Sequence, residues 1–251
     1  MTTDASLSEP TSADRSRRSS GRSSVGKPGP LGKALAIIGI VLLIVMAYYS
    51  VRWMMADINS YPARNALLNQ NNAGELIPAD KLERAQASID RSISWRSDHG
   101  DYYDIKASLS YYQALHAQAE KRWRDYGERM TQSRDLYRQA TQLRPHWPYS
   151  WAGLALSKAK LSQMDDELNQ AIDNSVLYGP WENAVNISIA EAGLLSWRFL
   201  PQAQQAAILA NIDRGLKRNY KEIRNIAIQL NQTALLCEQL PDSKEKARLC
   251  K

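Results

Sequence analysis

The longest feature of the hydrophobic pattern is an uninterrupted apolar run, ALAIIGIVLLIVMAYYSV, from Ala34 to Val51. Lys33 and Arg52 are the first charged residues on either side of it. Eighteen residues at about 1.5 Å each give a helix of roughly 27 Å, close to the hydrocarbon thickness of a bilayer. A core helix of a soluble protein is usually shorter and carries polar positions on one face. The run therefore predicts a transmembrane helix over residues 34–53.

After this run, apolar residues recur at helical spacing, as in Leu82, Ala85, Ile89 and Ile93, and alternation typical of strands is not evident. The sequence therefore predicts an all-α domain of helix hairpins with short turns, as a solenoid or bundle. The segments that break the helical pattern are His99–Asp101, Pro145–Pro148, Gly179–Pro180, Leu200–Pro201, Arg218–Asn219 and Pro241.

Composition divides the chain into four regions. Residues 1–33 are rich in Ser, Thr, Arg, Gly and Pro, which predicts a disordered tail. Residues 34–53 are the predicted membrane helix, and residues 54–78 read as a partly helical connector that contains Asn and Pro. Residues 79–251 form the predicted helical domain.

Charge next to the apolar run predicts its orientation. Residues 1–33 contain six basic side chains, whereas the stretch that follows the run offers only Arg52 and Arg64. Because basic flanks stay in the cytoplasm, we expect a cytoplasmic N-terminus and a domain on the far, periplasmic side of a bacterial inner membrane. A cleaved signal peptide is the alternative, since Val45-Met46-Ala47 resembles a cleavage site, but the run is longer than a usual signal core. We expect a retained anchor.

The remaining residues, 34–251, carry 26 basic and 23 acidic side chains, so their net charge is small. This balance argues against a nucleic-acid partner and leaves anionic lipid headgroups as the expected contact of the basic tail.

Prolines 35 residues apart, Pro145 and Pro180, indicate an internal repeat near the period of tetratricopeptide arrays. The residues that fit the two helices of such a repeat around this joint are Ser133, Tyr137, Ala140, Trp151, Leu154 and Ala155. The pattern weakens elsewhere, and Glu167 stands where a small residue is expected. About three degenerate repeats are predicted, with an irregular helical bundle as the alternative.

The segment from Leu143 to Trp197, LRPHWPYSWAGLALSKAKLSQMDDELNQAIDNSVLYGPWENAVNISIAEAGLLSW, together with the single membrane anchor, resembles the VpsP-like accessory proteins of exopolysaccharide biosynthesis. The resemblance implies an inner-membrane protein with a periplasmic domain that acts with other proteins in the synthesis or export of a secreted polysaccharide. It implies no catalytic residue.

Residues able to carry out catalysis are not grouped in recognisable motifs. His99, His116 and His146 lack metal-ligand spacing, and phosphate-loop and nucleophile-elbow motifs are missing. Asp165, Asp166 and Glu167 suit the positive end of a helix better than a cation site. We therefore expect no enzymatic activity, no cofactor and no metal.

Tyrosine and tryptophan dominate the aromatic residues, with twelve Tyr and seven Trp against one Phe. Their rings stack on sugars and suit wet interfaces. In a repeat of this kind the first helices line the concave face. The residues expected on that face are Tyr111, Tyr112, Tyr149, Leu156 and Lys160. A partner peptide or a glycan would suit such a face.

Cys237 and Cys250 are the two cysteines of the chain, and both lie near its C-terminus. In an oxidising periplasm two such residues pair, which predicts a disulfide that pins Ser243–Leu249 onto the helix around Ile228–Leu236.

Three functions are compatible with these features. The leading hypothesis is a non-enzymatic scaffold in exopolysaccharide assembly. The second is an ancillary subunit of protein translocation or periplasmic chaperoning. The third is a glycan-processing enzyme that uses a carboxylate such as Glu191.

Overall fold

A computed structural model describes residues 29–73 and 76–251, with the backbone alone for residues 69–73. The described residues are helices and connecting turns, which confirms the predicted all-α class. The α-helices are, in chain order, α1 (Pro30–Ala73), α2 (Ala79–Trp95), α3 (Gly100–Ala119), α4 (Trp123–Leu143), α5 (Pro148–Lys160), α6 (Asp166–Tyr178), α7 (Asn183–Ser196), α8 (Gln202–Leu216), α9 (Tyr220–Gln229), α10 (Thr233–Gln239) and α11 (Lys244–Leu249).

Helix α1 is long and apolar enough to cross a membrane over Pro30–Leu68. A signal sequence has the same properties, so retention of the anchor stays a prediction. The helix begins at Pro30, inside the predicted tail, because proline suits the first turn of a helix, where its missing N–H removes no hydrogen bond. Most of the predicted tail, residues 1–28, lies outside the described residues.

The chain divides into two compact units, Met1–Ala47 and Tyr48–Lys251. In the second unit the predicted connector is helical as far as Ala73. Ala56 and Ala63, two turns apart, are fully buried in a cluster with Leu82, Ile89 and Tyr102 from α2 and α3. Small side chains let helices approach closely, so these two alanines favour helix where the Asn and Pro content suggested a connector.

Helices α3, α5, α7 and α9 pack side by side, and α4, α6 and α8 each pack against this layer. The main core lies between the two sets of helices and continues to α11. Its fully buried members include Leu154, Ile172 and Ile189. Adjacent helices are joined by short turns, so that successive hairpins place the starts of α3, α5 and α7 at one end.

All six breaker segments lie at the boundaries between helices. Three further turns, α3–α4, α5–α6 and α9–α10, contain no Gly or Pro in the sequence. Each has one residue in the left-handed region, namely Lys121 (φ 59°), Ser162 (φ 57°) or Asn231 (φ 54°). The N–H of the next residue bonds to the carbonyl five residues back, at 2.8, 3.0 and 2.8 Å respectively. This is the Schellman arrangement, which satisfies carbonyls at a helix end.

The joint between α4 and α5 contains the residues that suggested a repeat. Ser133, Ala140 and Leu154 are buried between the helices, and Trp151 donates its indole N–H to the carbonyl of Pro145 at 2.7 Å. The helix-hairpin packing is thus observed. The assignment of these hairpins to the tetratricopeptide class stays a prediction.

The acids at the start of α6 stabilise the helix start, as expected. The Asp165 carboxylate accepts a hydrogen bond from the Leu168 N–H at 3.1 Å, as an N-cap does. Glu167 also accepts from Arg138 at 2.6 and 2.8 Å and from Lys158 at 2.6 Å. The Arg138 hydrogen bonds, joined by that from Lys158, lower the pKa of Glu167 to about 2. This acid, which breaks the repeat pattern, therefore joins α6 to α4 and α5.

Cys237 and Cys250 form a disulfide, with their Cα atoms 5.8 Å apart. The segment around Ile228–Leu236 is not one helix, because α9 ends at Gln229 and α10 begins at Thr233. The predicted docking onto a single long helix is therefore wrong. Helix α11 packs instead against α10 and α8, with Leu249 buried.

Candidate functional site

The starts of α3, α5 and α7 enclose a groove of about 440 Å³, which is in the range of ligand pockets. We call it the tyrosine groove. Its aromatic lining is Tyr111, Tyr112, Tyr137, Trp147 and Tyr149, and its floor includes Leu156 and Asp104.

Helical spacing places these side chains on one surface. On α3, Asp104, Ser108 and Tyr111 are four and three residues apart, so they share a face. On α5, Tyr149 and Leu156 are two turns apart. Tyr137 reaches the groove from α4, where its hydroxyl is 2.9 Å from the hydroxyl of Ser108. The groove is therefore built from four helices, with α7 supplying the small residues Ala184 and Ser188.

The tyrosine hydroxyls stay protonated at neutral pH. Burial raises the pKa of Tyr111 and of Tyr137 well above the ordinary value. Burial and the hydrogen bond to Glu182, 2.5 Å long, raise the pKa of Tyr149 to about 12. The groove therefore offers neutral rings and hydroxyl groups, which combine apolar faces with polar edges.

Asp104 is a partly buried acid on the groove floor. Its Oδ1 atom accepts a hydrogen bond from the buried Ser150 hydroxyl at 2.6 Å. Burial, joined by the nearby Asp101 carboxylate, raises the pKa of Asp104 to about 6, although the Ser150 hydrogen bond and Arg144 oppose the shift. Asp104 is thus an acid that changes protonation close to neutral pH.

The predicted concave-face residues lie together along this surface. Tyr111, Tyr112, Tyr149 and Leu156 line the tyrosine groove. Lys160 lies in an adjoining hollow of about 630 Å³ and pairs with Glu191 at 2.6 Å. Its Nζ atom is 5.9 Å from the centre of the Tyr111 ring, so Tyr111 links the groove to the hollow.

Asp104 and Ser150 were missed by sequence reasoning, although Asp104 lies two helical turns before Tyr111 and shares its face. That spacing could have identified Asp104. Ser150 gave no such signal, because a small polar residue at a helix start is common. The Ser150 hydroxyl reaches the Asp104 carboxylate because α5 begins beside the first turns of α3.

The three histidines have separate surroundings. His99 stacks on Tyr102 with ring centres 4.6 Å apart, His116 contacts the carbonyl of Ile77 at 2.5 Å, and His146 meets Tyr178 edge to face. Within residues 29–73 and 76–251, no group of three or more His, Cys, Asp or Glu residues could hold a metal ion.

Gly153 allows Tyr137 to lie across α5 and close the groove floor. A β-carbon at this position would lie 2.3–2.6 Å from carbon atoms of the Tyr137 ring. We expect Gly153→Ala to lower the free energy of unfolding by about 2 kcal/mol, because a rigid ring held by Ser108 must move. Urea unfolding of the full chain in detergent, followed by tryptophan fluorescence, measures the change.

Gly127→Ala is the matched control, because its β-carbon would have nothing within 4 Å. In the second turn of α4 this change should stabilise by about 0.5–1 kcal/mol. Adding Tyr137→Leu to Gly153→Ala should remove most of the steric penalty. A Gly153→Ala variant that is as stable as the unmodified chain, or that gains stability as Gly127→Ala does, would show that Tyr137 does not need the glycine.

Comparison with known proteins found no matching family model, no matching curated protein and no matching solved structure. The resemblance to VpsP-like proteins therefore stays a prediction.

Proposed function

We propose that this chain is a non-enzymatic, membrane-anchored adaptor whose helical domain lies in the periplasm and binds a partner protein in the tyrosine groove. The partner belongs to a machine for synthesis or export of a secreted polysaccharide. The observation that carries the proposal is the groove itself, an opening of about 440 Å³ lined by side chains from four helices.

The chemistry of the groove favours protein binding. Neutral tyrosine rings and hydroxyls are enriched at protein interfaces because they bury large areas while keeping a polar edge. Leu156 adds an apolar side chain to the groove. Ala184 on α7 is small and exposed, so it does not block access from that side. Helix hairpins stacked side by side commonly present such surfaces to extended segments.

The location is supported by two features. The basic residues before Ala34 favour a cytoplasmic N-terminus. The Cys237–Cys250 disulfide suits an oxidising compartment. The link to exopolysaccharide rests on the resemblance of Leu143 to Trp197.

A photo-crosslinking amino acid in place of Ala184 tests the proposal in the native cells. Ala184 is exposed and lines the groove, so a benzophenone side chain there reaches any bound partner. We expect a discrete adduct with a glycosyltransferase or an export component. The same group in place of Asp173, an exposed residue of α6 outside the groove lining, is the matched control and should give no such adduct.

Two results would contradict the proposal. Equal adducts from both positions would show that the groove is not the docking surface. A broad smear of newly secreted chains crosslinked at Ala184 would favour the translocation or chaperone function instead.

A further inference from the structure

The two acids on the first turns of α3 differ in their partners. Asp101 is paired twice, with Arg64 at 2.5 Å and with Arg144 at 3.1 Å. Asp104, one turn later, has the Ser150 hydroxyl on Oδ1 and forms no ion pair with any described residue. Its second oxygen also has no hydrogen-bond partner in the described part of the chain. One carboxylate is thus neutralised within the fold, while its neighbour remains open to the groove.

No unpaired basic side chain among the described groove residues neutralises the negative charge of Asp104. The charged side chains of its lining are Asp101 and Asp104, both acidic. Arg144 is held by Asp101 and stacks on Trp147, 3.9 Å from the ring centre. Lys160, beyond Tyr111, is held by Glu191. Glu182 at the rim accepts the hydroxyl of Tyr149, which adds negative charge.

Aromatic rings line the same groove as this carboxylate. Tyr137 lies close enough for the charge of Asp104 to raise the pKa of its hydroxyl. Trp147 and Tyr149 lie with ring centres 5.2 Å apart. Ring faces attract cations, and the attraction is strongest where water is excluded. An acid and several rings in one groove are therefore complementary to a cation with an apolar stem.

We propose that the tyrosine groove binds an arginine or lysine side chain of an extended segment of the partner protein, with the cation on the open oxygen of Asp104. The proposal rests on the adaptor function above and names the chemistry of its docking site. From Asp104 to Tyr112 the α3 wall extends about 12 Å, which accommodates three to four extended residues. The apolar floor at Leu156 suits an apolar side chain beside the basic one.

Proton linkage gives the proposal a pH signature. The charged groups that act on Asp104 are Asp101 on α3 and Arg144 after α4. Tyr137 on α4 and Ser150 on α5 also face it. Helix α7 contributes only Ala184 and Ser188 to the groove, and neither side chain titrates. Because the pKa of Asp104 is raised to about 6, a cation must bind the ionised form and release a proton below this pH. The affinity should rise as the pH increases through 6 and become constant above about 7.

The test uses the full chain in lipid nanodiscs and capped pentapeptides with one central residue between two leucines and two terminal glycines. The central residue is arginine or citrulline, its neutral isostere. Calorimetric titration at pH 7.5 should give about tenfold tighter binding of the arginine peptide, as expected for a hydrogen bond to a charged group. Lowering the pH to 5 should remove most of that preference.

Asp104→Asn isolates the charge, because the amide oxygen still accepts from Ser150 and the fold is preserved. We expect the variant to bind both peptides equally, at the affinity of the citrulline peptide for the unmodified chain, and independently of pH. Asp173→Asn removes an acid outside the groove lining and should leave the arginine preference unchanged.

Equal binding of the two peptides to the unmodified chain, or an arginine preference that survives Asp104→Asn, would overturn the cation site. Failure of the adaptor function is recognised separately, by crosslinking at Ala184. A discrete groove adduct together with no arginine preference would keep the adaptor and reject the cation. An arginine preference without any groove adduct would support the cation site and reject the adaptor.

Discussion

Lys158→Ala is expected to lower the free energy of unfolding by about 4 kcal/mol. The Lys158 side chain is 2% exposed, and its Nζ atom contacts Asp165 at 2.9 Å and Glu167 at 2.6 Å. Truncation to alanine leaves a cavity in place of a long buried stem, at about 2–5 kcal/mol, and removes the attraction between α5 and the start of α6. Urea unfolding of the full chain in detergent measures the loss.

Lys158→Met separates packing from charge. Methionine fills nearly the same space without an ammonium group, and Glu167 keeps its two hydrogen bonds from Arg138. Asp165 is more than half exposed, so water can replace its contact with Lys158. We therefore expect a cost of only about 1 kcal/mol, because a buried ion pair is often replaceable by apolar residues of similar volume. Equal losses for Met and Ala would show that the charge, not the packing, stabilises this site.

Removing the disulfide is expected to cost about 3 kcal/mol of the free energy that holds the C-terminal helices in place. The bond closes a loop between residues 13 positions apart, and the chain-entropy account gives this magnitude for a loop of that size. Cys237→Ser combined with Cys250→Ser should therefore release α11. Its remaining contacts include the buried Leu249, the Arg248 guanidinium 4.1 Å from the Tyr220 ring centre, and a hydrogen bond from Lys246 to the Leu240 carbonyl. Hydrogen exchange of α10 and α11 measures the release.

Reducing agent on the unmodified chain is the control and should reproduce the effect of the double variant. Alkylation in intact cells connects the same bond to membrane orientation. Two thiols that react before reduction, in protein correctly inserted in the membrane, would contradict both the disulfide and the periplasmic location.

Sequence patterns were sufficient where one physical effect dominated. The apolar run before Arg52 predicted a helix fit to cross a membrane, because no other structure satisfies the backbone of such a segment. Helical spacing after Ala79 predicted the all-α class. The six breaker segments, five of which contain proline or glycine, marked helix boundaries correctly.

Three turns were not predicted because they contain neither Gly nor Pro. Lys121, Ser162 and Asn231 adopt left-handed backbone at a local cost of about 1 kcal/mol each. The cost is offset by burial of the helices on either side, which a local pattern does not report. One of these turns separates α9, which has 10 residues, from α10, which has 7.

In the groove, too, some features were predictable from the sequence and others depend on how the helices pack. Register on α3 and α5 predicted that Tyr111, Tyr112, Tyr149 and Leu156 share one surface, and they do. The position of Asp104 relative to Ser150, 46 residues away, depends on how α3 and α5 cross. Its raised pKa depends on the same crossing, because burial comes from side chains of other helices.

The sequence by itself therefore determined the apolar helix and the all-α class, since these follow from hydrophobicity and periodicity, and it predicted the cysteine pair that the structure shows. Only the tertiary structure decided that α1 continues to Ala73, that Asp101 is paired while Asp104 is not, and that α11 packs on α8 and α10. The physical reason is that pairing and burial are set by residues distant in the chain, whereas periodicity is set by neighbours.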